Sequence, residues 1–389
     1  MDALRAFALL GILVNHAAGA FLVGPEPDPM FNIFNRFDEI VDRLADLFTS
    51  GKFFAIFSFL FGLSFAIQLE NAARHGRPFS GRFAWRLVVL WVLGFLHSLF
   101  FSGDILMIYA VLGLLLIPFQ RVGNKALLAI AVVLAFNAPG LCLNAVRTID
   151  PPTRVEDQDS RAEAQWFSEF VERHYRVKQS GTLAELVSIN VAEMQLLRAW
   201  HQVFSGRLWV TFGLFLLGLY AGRKKLFCDT AEHRRIFRHI VVWAGITAAL
   251  TTGALIILPG GADATPLALA VSAANSVQQV SLAAFYVAAL TLTFWTGFPN
   301  VMAALAPLGK MGLTTYLTQS LFGVAVFYGL GLGLLGRIGV TSCVTLSLGF
   351  FVLQFFFARW WLQRFNLGPA EWLWRSLTYL EWQPIAKRA

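Results

Sequence analysis

Two histidines inside apolar segments are the residues of this sequence most suited to chemistry. The first segment, MDALRAFALLGILVNHAAGAF, carries His16 deep inside it and Asp2 and Arg5 at its start. Arg5 and His16 are eleven positions apart, which on a helix puts them within about 20° of one face and roughly 16 Å apart along the axis. Asp2 lies one turn before Arg5, within pairing distance. Because an ionisable group inside a membrane span is costly, this polar stripe indicates a functional site.

A second polar group occurs in LGFLHSLFFSGDILMIYA. His97 lies near the end of one apolar segment, Asp104 lies in the SGD turn, and Tyr109 follows in the next segment. An aspartate that orients a histidine produces a general base. We therefore predict a catalytic site formed by His97, His16 and Asp104, all at a similar depth. The alternative interpretation is that each histidine only packs or forms an interhelical hydrogen bond.

The segment GKMGLTTYLTQSLF contributes a third polar group, with Thr315, Tyr316 and Gln319 at helical neighbour spacing. These side chains either contact substrate or hold helices together by hydrogen bonds. The three cysteines lie far apart in the sequence, so we expect neither a disulfide framework nor a metal site. The residues that we predict to bind donor or acceptor are Asp2, Arg5, Asn15, Tyr109, Thr315, Tyr316 and Gln319.

The composition determines which elements position these residues. The chain is 57% hydrophobic and only 14% charged, whereas soluble domains average roughly 25% charged. We therefore predict an all-α polytopic membrane protein forming a single integral-membrane domain, 1–389. Its net charge of +8 is spread over short loops, so nucleic acid is not an expected partner. The ten predicted spans, each near the length that a bilayer requires, are 3–23, 53–70, 86–102, 104–120, 125–146, 207–222, 236–258, 268–297, 311–335 and 340–362.

Basic residues predict the orientation of these spans. With the N-terminus inside, 19 Lys and Arg residues fall on the cytoplasmic side and four fall in short external loops. This asymmetry favours an N-in, C-in arrangement. The first apolar segment lacks a small-residue cleavage site, so we expect no cleavable signal peptide. Its nearly absent basic flank leaves open a native start a few residues upstream.

Three segments outside the spans are large enough to have structure of their own. Residues 24–52 have a helical apolar period and are expected to form an external amphipathic helix. Residues 147–206 are predicted to form an external loop with amphipathic helices that lie on the membrane or cap a cavity. Residues 363–389 are Trp-rich and amphipathic, which is typical of a cytoplasmic interfacial tail.

Five stretches of the sequence together resemble the YeiB-like family of bacterial membrane proteins, a domain of unknown function. They are DALRAFALLGILVNH, GKFFAIFSFLFG, GFLHSLFFSGDILMIYAVLG, GKMGLTTYLTQS and GPAEWLWR, in the family's order and spread along the whole chain. The resemblance implies membership of the transmembrane acyltransferase superfamily, which includes the lysosomal heparan-glucosaminide acetyltransferases and acyltransferases that modify bacterial surface glycans. In the glycan-modifying group, an Arg and a His at the spacing of Arg5 and His16 mark the site. Typical YeiB-like members carry a residue such as Ile after Asn15, which makes His97 the alternative family histidine.

These observations predict an acyltransferase of the cell (inner) membrane with multiple spans. A cytosolic acyl donor, acyl-CoA as co-substrate, is expected near Asp2 and Arg5, because Arg binds phosphate by charge-assisted hydrogen bonds. His16 or His97 then serves as general base or carries the acyl group covalently, and the acceptor is an unknown glycan, lipid or small molecule. No bound cofactor is expected, and membrane lipid is the expected partner. Two rival interpretations are a transporter or exporter that uses the same His and Asp residues, and a non-catalytic scaffold.

Overall fold

The computed structural model of the chain describes residues 1–28, 30–76, 78–149, 158–194, 202, 205–258 and 265–387. Within those residues the chain is all-α, with a single isolated β-bridge between Phe365 and Ala386. The helices are α1 (Asp2–Ala18), α2 (Arg36–Phe48), α3 (Lys52–Arg74), α4 (Ser80–Ser98), α5 (Leu106–Leu116), α6 (Asn124–Ala135), α7 (Ala138–Ile149), α8 (Gln158–Ser180), α9 (Leu183–Ile189), α10 (Arg207–Arg223), α11 (Ala231–Ile257), α12 (Pro266–Thr296), α13 (Pro299–Lys310), α14 (Gly312–Phe327), α15 (Val340–Arg364) and α16 (Pro369–Tyr379).

The lengths of these helices support fewer membrane spans than the sequence predicts. Four stretches are long and apolar enough to cross a bilayer: 36–74, which combines α2 and α3, and the helices α11, α12 and α15. The pair α6 and α7 is bent by 48° and adds a fifth if it acts as one span. Several other predicted spans are helices of 11 to 17 residues, shorter than the roughly 30 Å of a hydrocarbon core. Helix length therefore supports four or five spans rather than ten.

Small residues allow the central helices to approach closely. α3 packs against α10, where a Cβ at Gly62 would collide with the Phe215 carbonyl and one at Gly218 with the Phe59 carbonyl. α1 packs against α13, and Gly309 lies directly against the backbone of Asp2. Small residues at helix crossings are typical of packing in membrane proteins, where van der Waals contact replaces the hydrophobic driving force. These crossings place α1 and α3 at the centre of the molecule.

α8, α9 and the turn after α9 cover one end of this helix bundle. α8 and α9 pack on each other around Phe170, Val171 and Ile189, and a short π-helical turn, Asn190–Met194, follows α9. Thr182 forms a capping box with Glu185 at the start of α9, an arrangement that satisfies two otherwise unpaired amide groups. The other parts of the predicted external loop, 150–157, 195–201 and 203–204, lie outside the described residues.

Candidate functional site

His97 and Asp104 form a buried hydrogen-bonded pair between α4 and α5. The His97 Nδ1 atom lies 2.8 Å from Asp104 Oδ1, and both side chains are almost fully enclosed. The second ring nitrogen of His97, Nε2, is buried and has no hydrogen-bond partner among the described residues. Because a carboxylate accepts from Nδ1–H, the pair favours the tautomer in which Nε2 carries a free lone pair. The arrangement is that of an oriented general base.

The local fold of the α4–α5 turn produces this pair. α4 ends at Ser98, and the other carboxylate oxygen of Asp104 accepts a hydrogen bond of 3.0 Å from the Met107 amide at the start of α5. A short polar side chain in this position satisfies an amide that has no partner within the helix. Gly94 allows the two helices to meet, since a Cβ there would come within 3.0 Å of atoms of Leu106, Met107 and Asp104. One aspartate therefore begins α5 and orients the histidine.

Tyr316 of α14 fixes the same turn from a second side. Its hydroxyl accepts a hydrogen bond from the Ile105 amide at 3.2 Å and lies 3.3 Å from the Gly103 carbonyl, to which it donates. Its ring centroid lies 5.2 Å from that of His97. Tyr316 is thus in contact with the His97 and Asp104 pair, as the sequence predicts for a site residue. The hydrogen bonds to backbone also give it a structural role.

The structure brings His16 and His97 into contact with the same phenylalanine. The ring of Phe101 lies 5.4 Å from the His16 ring and 5.7 Å from the His97 ring. Phe21 also contacts His16, at 5.9 Å between centroids. The two histidines therefore share Phe101 as a neighbour, and Asp104 bonds to His97.

Two polar residues that the sequence does not single out reach this turn from the α8–α9 segment. Lys178 is only 1% exposed, and its ammonium group donates to Ser102 Oγ at 2.8 Å and to the Leu22 and Val23 carbonyls at 3.2 Å. Asn190 donates from its side chain to the Leu99 carbonyl at 3.0 Å. In the sequence, Lys178 is one of several basic residues in a segment with the spacing of a solvated helix. Its burial depends on tertiary packing.

A further buried histidine lies one turn before Lys178. His174 is 0% exposed, stacks on Phe170 with 5.8 Å between ring centroids, and has no partner for either ring nitrogen within the described residues. Burial, assisted by the positive charge of Lys178, lowers the pKa of His174 from its usual 6.5 to about 2. A neutral imidazole is therefore held inside the α8–α9 cover.

A cavity of about 270 Å³ approaches the site from the other end of the bundle. Its inner wall includes Tyr109, Ile105 and Tyr316, so it ends beside the ring that packs on His97. Along its length it is mostly apolar, and the residues that line this part include Phe57, Leu60, Phe61, Leu87, Leu90 and Leu106. Clefts of this kind, largely apolar with a few polar groups, are typical of ligand sites.

Three basic residues, Arg5, Arg86 and Lys310, also line this cavity, and we term them the cationic mouth. Arg5 pairs with Asp2 at 2.7 Å and donates to Ser64 Oγ, also at 2.7 Å. The Arg86 guanidinium lies 3.9 Å above the ring of Trp374 in α16. The predicted pairing of Asp2 with Arg5 is therefore confirmed, and Arg5 lies at the opposite end of the cavity from His97.

Glu371 connects the C-terminal helix to this mouth. One carboxylate oxygen accepts from the Leu313 and Thr314 amides at 2.6 and 3.1 Å, and the other accepts from Thr314 Oγ1 at 2.6 Å. Burial raises the pKa of Glu371 above its usual range, and these hydrogen bonds oppose that shift. The carboxylate thereby caps the start of α14, the helix that carries Tyr316.

The remaining predicted residues lie apart from the His97 and Asp104 pair. Thr315 and Gln319 join a network with Gln354 of α15, in which Gln354 donates to the Thr315 carbonyl at 3.1 Å and accepts from Gln319 at 3.2 Å. The Thr315 hydroxyl itself donates to the Leu308 carbonyl of α13 at 3.3 Å, so the side chains of both residues match the interhelical alternative. Tyr109 lines the cavity and shares a 2.6 Å hydrogen bond with Ser58. Asn15 meets Thr49 at a long distance of 3.5 Å.

Comparison with known proteins supports a YeiB-like domain of unknown function. A family model described as "Protein of unknown function (DUF418)" matches residues 221–381. The uncharacterized protein YxaH of Bacillus subtilis is 28% identical over 100% of this chain and 96% of its own length. An uncharacterized 39.9 kDa protein from the amylase 3' region of Bacillus acidopullulyticus is 25% identical over 99% of this chain and 94% of its own length.

A third relative carries the name that the sequence motifs suggest. The uncharacterized protein YeiB of Escherichia coli is 27% identical over 97% of this chain and 95% of its own length. No solved structure matches the chain. The similarity thus extends over nearly the whole chain in each of these relatives, including both the α4–α5 turn and the C-terminal helix.

The burial of His174 predicts a specific loss of stability in acid. The unfolded chain takes up a proton at His174 below pH 6.5, whereas the folded chain, with its pKa of about 2, does not. His174 therefore leaves the free energy of unfolding unreduced above pH 6.5 and lowers it by about 2 kcal/mol at pH 5. We expect His174→Phe to remove this part of the pH dependence of the unfolding midpoint in detergent. An unfolding midpoint that falls equally in acid for His174→Phe and wild type would contradict this. The matched control is His239→Phe, at an exposed position of α11, which should keep the acid sensitivity of wild type.

Proposed function

We propose that the protein is a membrane-embedded acyltransferase that moves an acyl group from a cytosolic acyl donor, acyl-CoA, to an extracytoplasmic or membrane-bound acceptor. The observation that supports this proposal is the buried His97 and Asp104 pair: its Nε2 has no partner among the described residues, and its ring packs on Tyr316, which lines an apolar cavity. A histidine oriented by a carboxylate and removed from water is suited to accept a proton from an acceptor hydroxyl or amine. The cavity gives a donor a route to that histidine from the opposite end.

In the proposed step, the acceptor oxygen or nitrogen attacks the acyl carbonyl carbon of the thioester. Its proton passes to His97 Nε2, the carbon–sulfur bond breaks, and His97 returns the proton to the thiolate, which leaves as free thiol. Asp104 stabilises the positive imidazolium that exists between these two transfers. His16, which contacts the same Phe101 ring, is the alternative base, and a covalent acyl-histidine is the alternative to direct attack.

The proposal includes the ten-span, N-in and C-in arrangement in the inner membrane. Two sets of contacts support one part of it, the placement of both ends of the chain on the same side. Trp374 near the C-terminus donates to the Arg86 carbonyl at the start of α4, so these parts lie at the same end as Arg5. Lys178 and Tyr328 bind the carbonyls that come after α1 at the opposite end. Helices that alternate in direction between these two ends of the bundle can all cross the same bilayer. The shorter helices would then lie among longer neighbours, where the bilayer can adapt to their length.

The turnover of a labelled donor tests the role of each histidine. Purified protein is incubated with acyl-CoA labelled in the acyl group, and release or transfer of the label is measured for wild type, His97→Ala, Asp104→Asn and His16→Ala. Removal of a general base costs on the order of 10²–10⁴ in rate, so we expect that loss in His97→Ala. Asp104→Asn is expected to lose roughly 10–100-fold, the effect of an orienting partner.

His16→Ala is the matched comparison, because it removes a histidine on the same phenylalanine without touching Asp104. Full activity in His16→Ala together with loss in His97→Ala assigns the base to His97, and the reverse assigns it to His16. Retention of acyl transfer in both variants would contradict the mechanism. No turnover with any acyl-CoA, accompanied by proton-coupled flux in vesicles, would favour a transporter. Size-exclusion profiles of each variant exclude misfolding as the cause.

Labelling of cysteines tests the proposed orientation. Cys228 is exposed in the turn between α10 and α11, which lies on the cytoplasmic side in an N-in arrangement. In a Cys142→Ser background, a membrane-impermeant maleimide should label Cys228 only after cells are permeabilised. Ser180→Cys, at the exposed end of α8, should react in intact cells. The opposite pattern at the two positions would reverse the orientation.

A further inference from the structure

We propose that the cationic mouth binds a phosphate group and that the cavity behind it holds the single extended chain attached to that phosphate. This inference rests on the proposed function, since it names how the donor is held. Arg5, Arg86 and Lys310 come from three separate elements, α1, α4 and α13, and all three line the same cavity. Guanidinium and ammonium groups that converge on one point are the usual protein ligands of phosphate.

The charges at the mouth are unbalanced in favour of an anion. Glu371 is the one carboxylate of the cavity wall among the described residues, and its oxygens already accept hydrogen bonds from the start of α14. Asp2 is engaged with Arg5. No ion pair to Arg86 or Lys310 is found within the described part of the chain. Two cations at the edge of an apolar cavity are thus available to an anionic ligand.

The position of Arg86 is fixed before any ligand arrives. Its guanidinium lies 3.9 Å above the Trp374 ring, a cation–π contact that restrains the side chain. The Trp374 indole in turn donates to the Arg86 carbonyl at 3.0 Å. A side chain held in this way loses little entropy on binding, which favours affinity.

The shape of the cavity indicates the kind of group attached to the phosphate. Beyond the mouth, the wall consists of leucine and phenylalanine side chains as far as Tyr109 and Tyr316. This apolar wall encloses a cavity of about 270 Å³, and an extended chain fits an apolar wall of this kind better than a polar sugar–phosphate body does. A ligand with a phosphate head and one extended arm therefore satisfies both parts of the site.

Two sources provide this chemistry. One is the pantetheine arm of coenzyme A, which would carry its sulfur from the mouth toward Tyr316 and His97. The other is a single-chain phospholipid, which would place a hydrocarbon tail in the same space. Both ligands would bind their phosphate at the cationic mouth, and both would place a chain between the leucine and phenylalanine side chains of the cavity.

Direct binding to the detergent-purified full chain tests the inference without any need for turnover. The probes are coenzyme A without an acyl group and lysophosphatidic acid, each titrated by calorimetry at low and high salt. For whichever probe binds wild type, Arg86→Gln is expected to raise the dissociation constant about tenfold or more, the scale of a charge-assisted hydrogen bond. Leu90→Trp is expected to abolish binding by filling the channel, and Leu90→Phe serves as a milder variant should the larger ring prevent folding.

Matched controls separate the site from general effects of charge and bulk. Arg235→Gln removes an exposed cation from α11, and Leu353→Trp adds the same ring at a position of α15 that is 66% exposed. Both should bind as wild type does. Equal weakening in Arg86→Gln and Arg235→Gln, or failure of both probes to bind wild type, would overturn the inference.

The same titrations distinguish this inference from the proposed function. Binding of coenzyme A that depends on Arg86 supports the inference and identifies the acyl donor as the source. Binding of lysophosphatidic acid alone supports the phosphate-and-chain site but counts against coenzyme A as donor. A third outcome is that turnover depends on His97 but Arg86→Gln and Leu90→Trp bind and turn over as wild type does. That outcome would support the acyltransferase and reject this site.

Discussion

The α4–α5 turn is buried inside an apolar helix bundle, and its backbone groups must find partners within the protein. In a hydrocarbon environment an unsatisfied carbonyl or amide costs several kcal/mol, so irregular backbone survives only where side chains or other segments pair with it. Here Asn190 binds the Leu99 carbonyl, Tyr316 binds the Gly103 carbonyl and the Ile105 amide, and Lys178 binds Ser102. The His97 and Asp104 pair depends on these contacts, because Asp104 is itself part of the turn.

The same requirement explains how the distant parts of the chain are connected to the site. Lys178 and Asn190 lie 76 and 91 positions beyond the groups that they bind in the turn. α14 supplies a third partner, and the start of α14 is held by Glu371 from the C-terminal helix. Glu371 thus holds the start of the helix that carries Tyr316, and the Tyr316 ring packs on His97. A donor that fills the cavity would touch both Glu371 and Tyr316, which line it.

The sequence predicts the polar residues of this arrangement better than it predicts which distant residues they contact. Periodicity and charge placed Asp104 beside His97 and paired Asp2 with Arg5, because both pairs are local in sequence and follow from a turn or a helical repeat. Helix length supports fewer spans than the apolar segments predict, because apolarity indicates burial in protein and in lipid alike and helices such as α1 and α14 are short. Thr315, Tyr316 and Gln319 have the same helical spacing in the sequence. Only the contacts with Gln354 in the structure show that Thr315 and Gln319 join helices.

Lys178, Asn190 and the cationic mouth were beyond sequence reasoning for a different reason. Each depends on which segments meet in space: α8 with the α4–α5 turn, and α16 with the starts of α4 and α14. A lysine in a charged helix is ordinarily solvated, so nothing local marks Lys178 as buried. Arg86 likewise has the position of a common membrane-flanking arginine, and its contact with Trp374 comes from a helix 288 positions later.

In the proposed mechanism an acyl donor enters at the cationic mouth and presents its acyl group to His97. Photo-crosslinking addresses this step, with a coenzyme A thioester that carries a diazirine in its acyl group and mass spectrometric mapping of the adduct. We predict adducts within the α4–α5 region, at positions 97–109, or at Tyr316, together with competition by unlabelled acyl-CoA. Adducts confined to exposed positions such as Leu353 of α15, unaffected by that competitor, would contradict the mechanism.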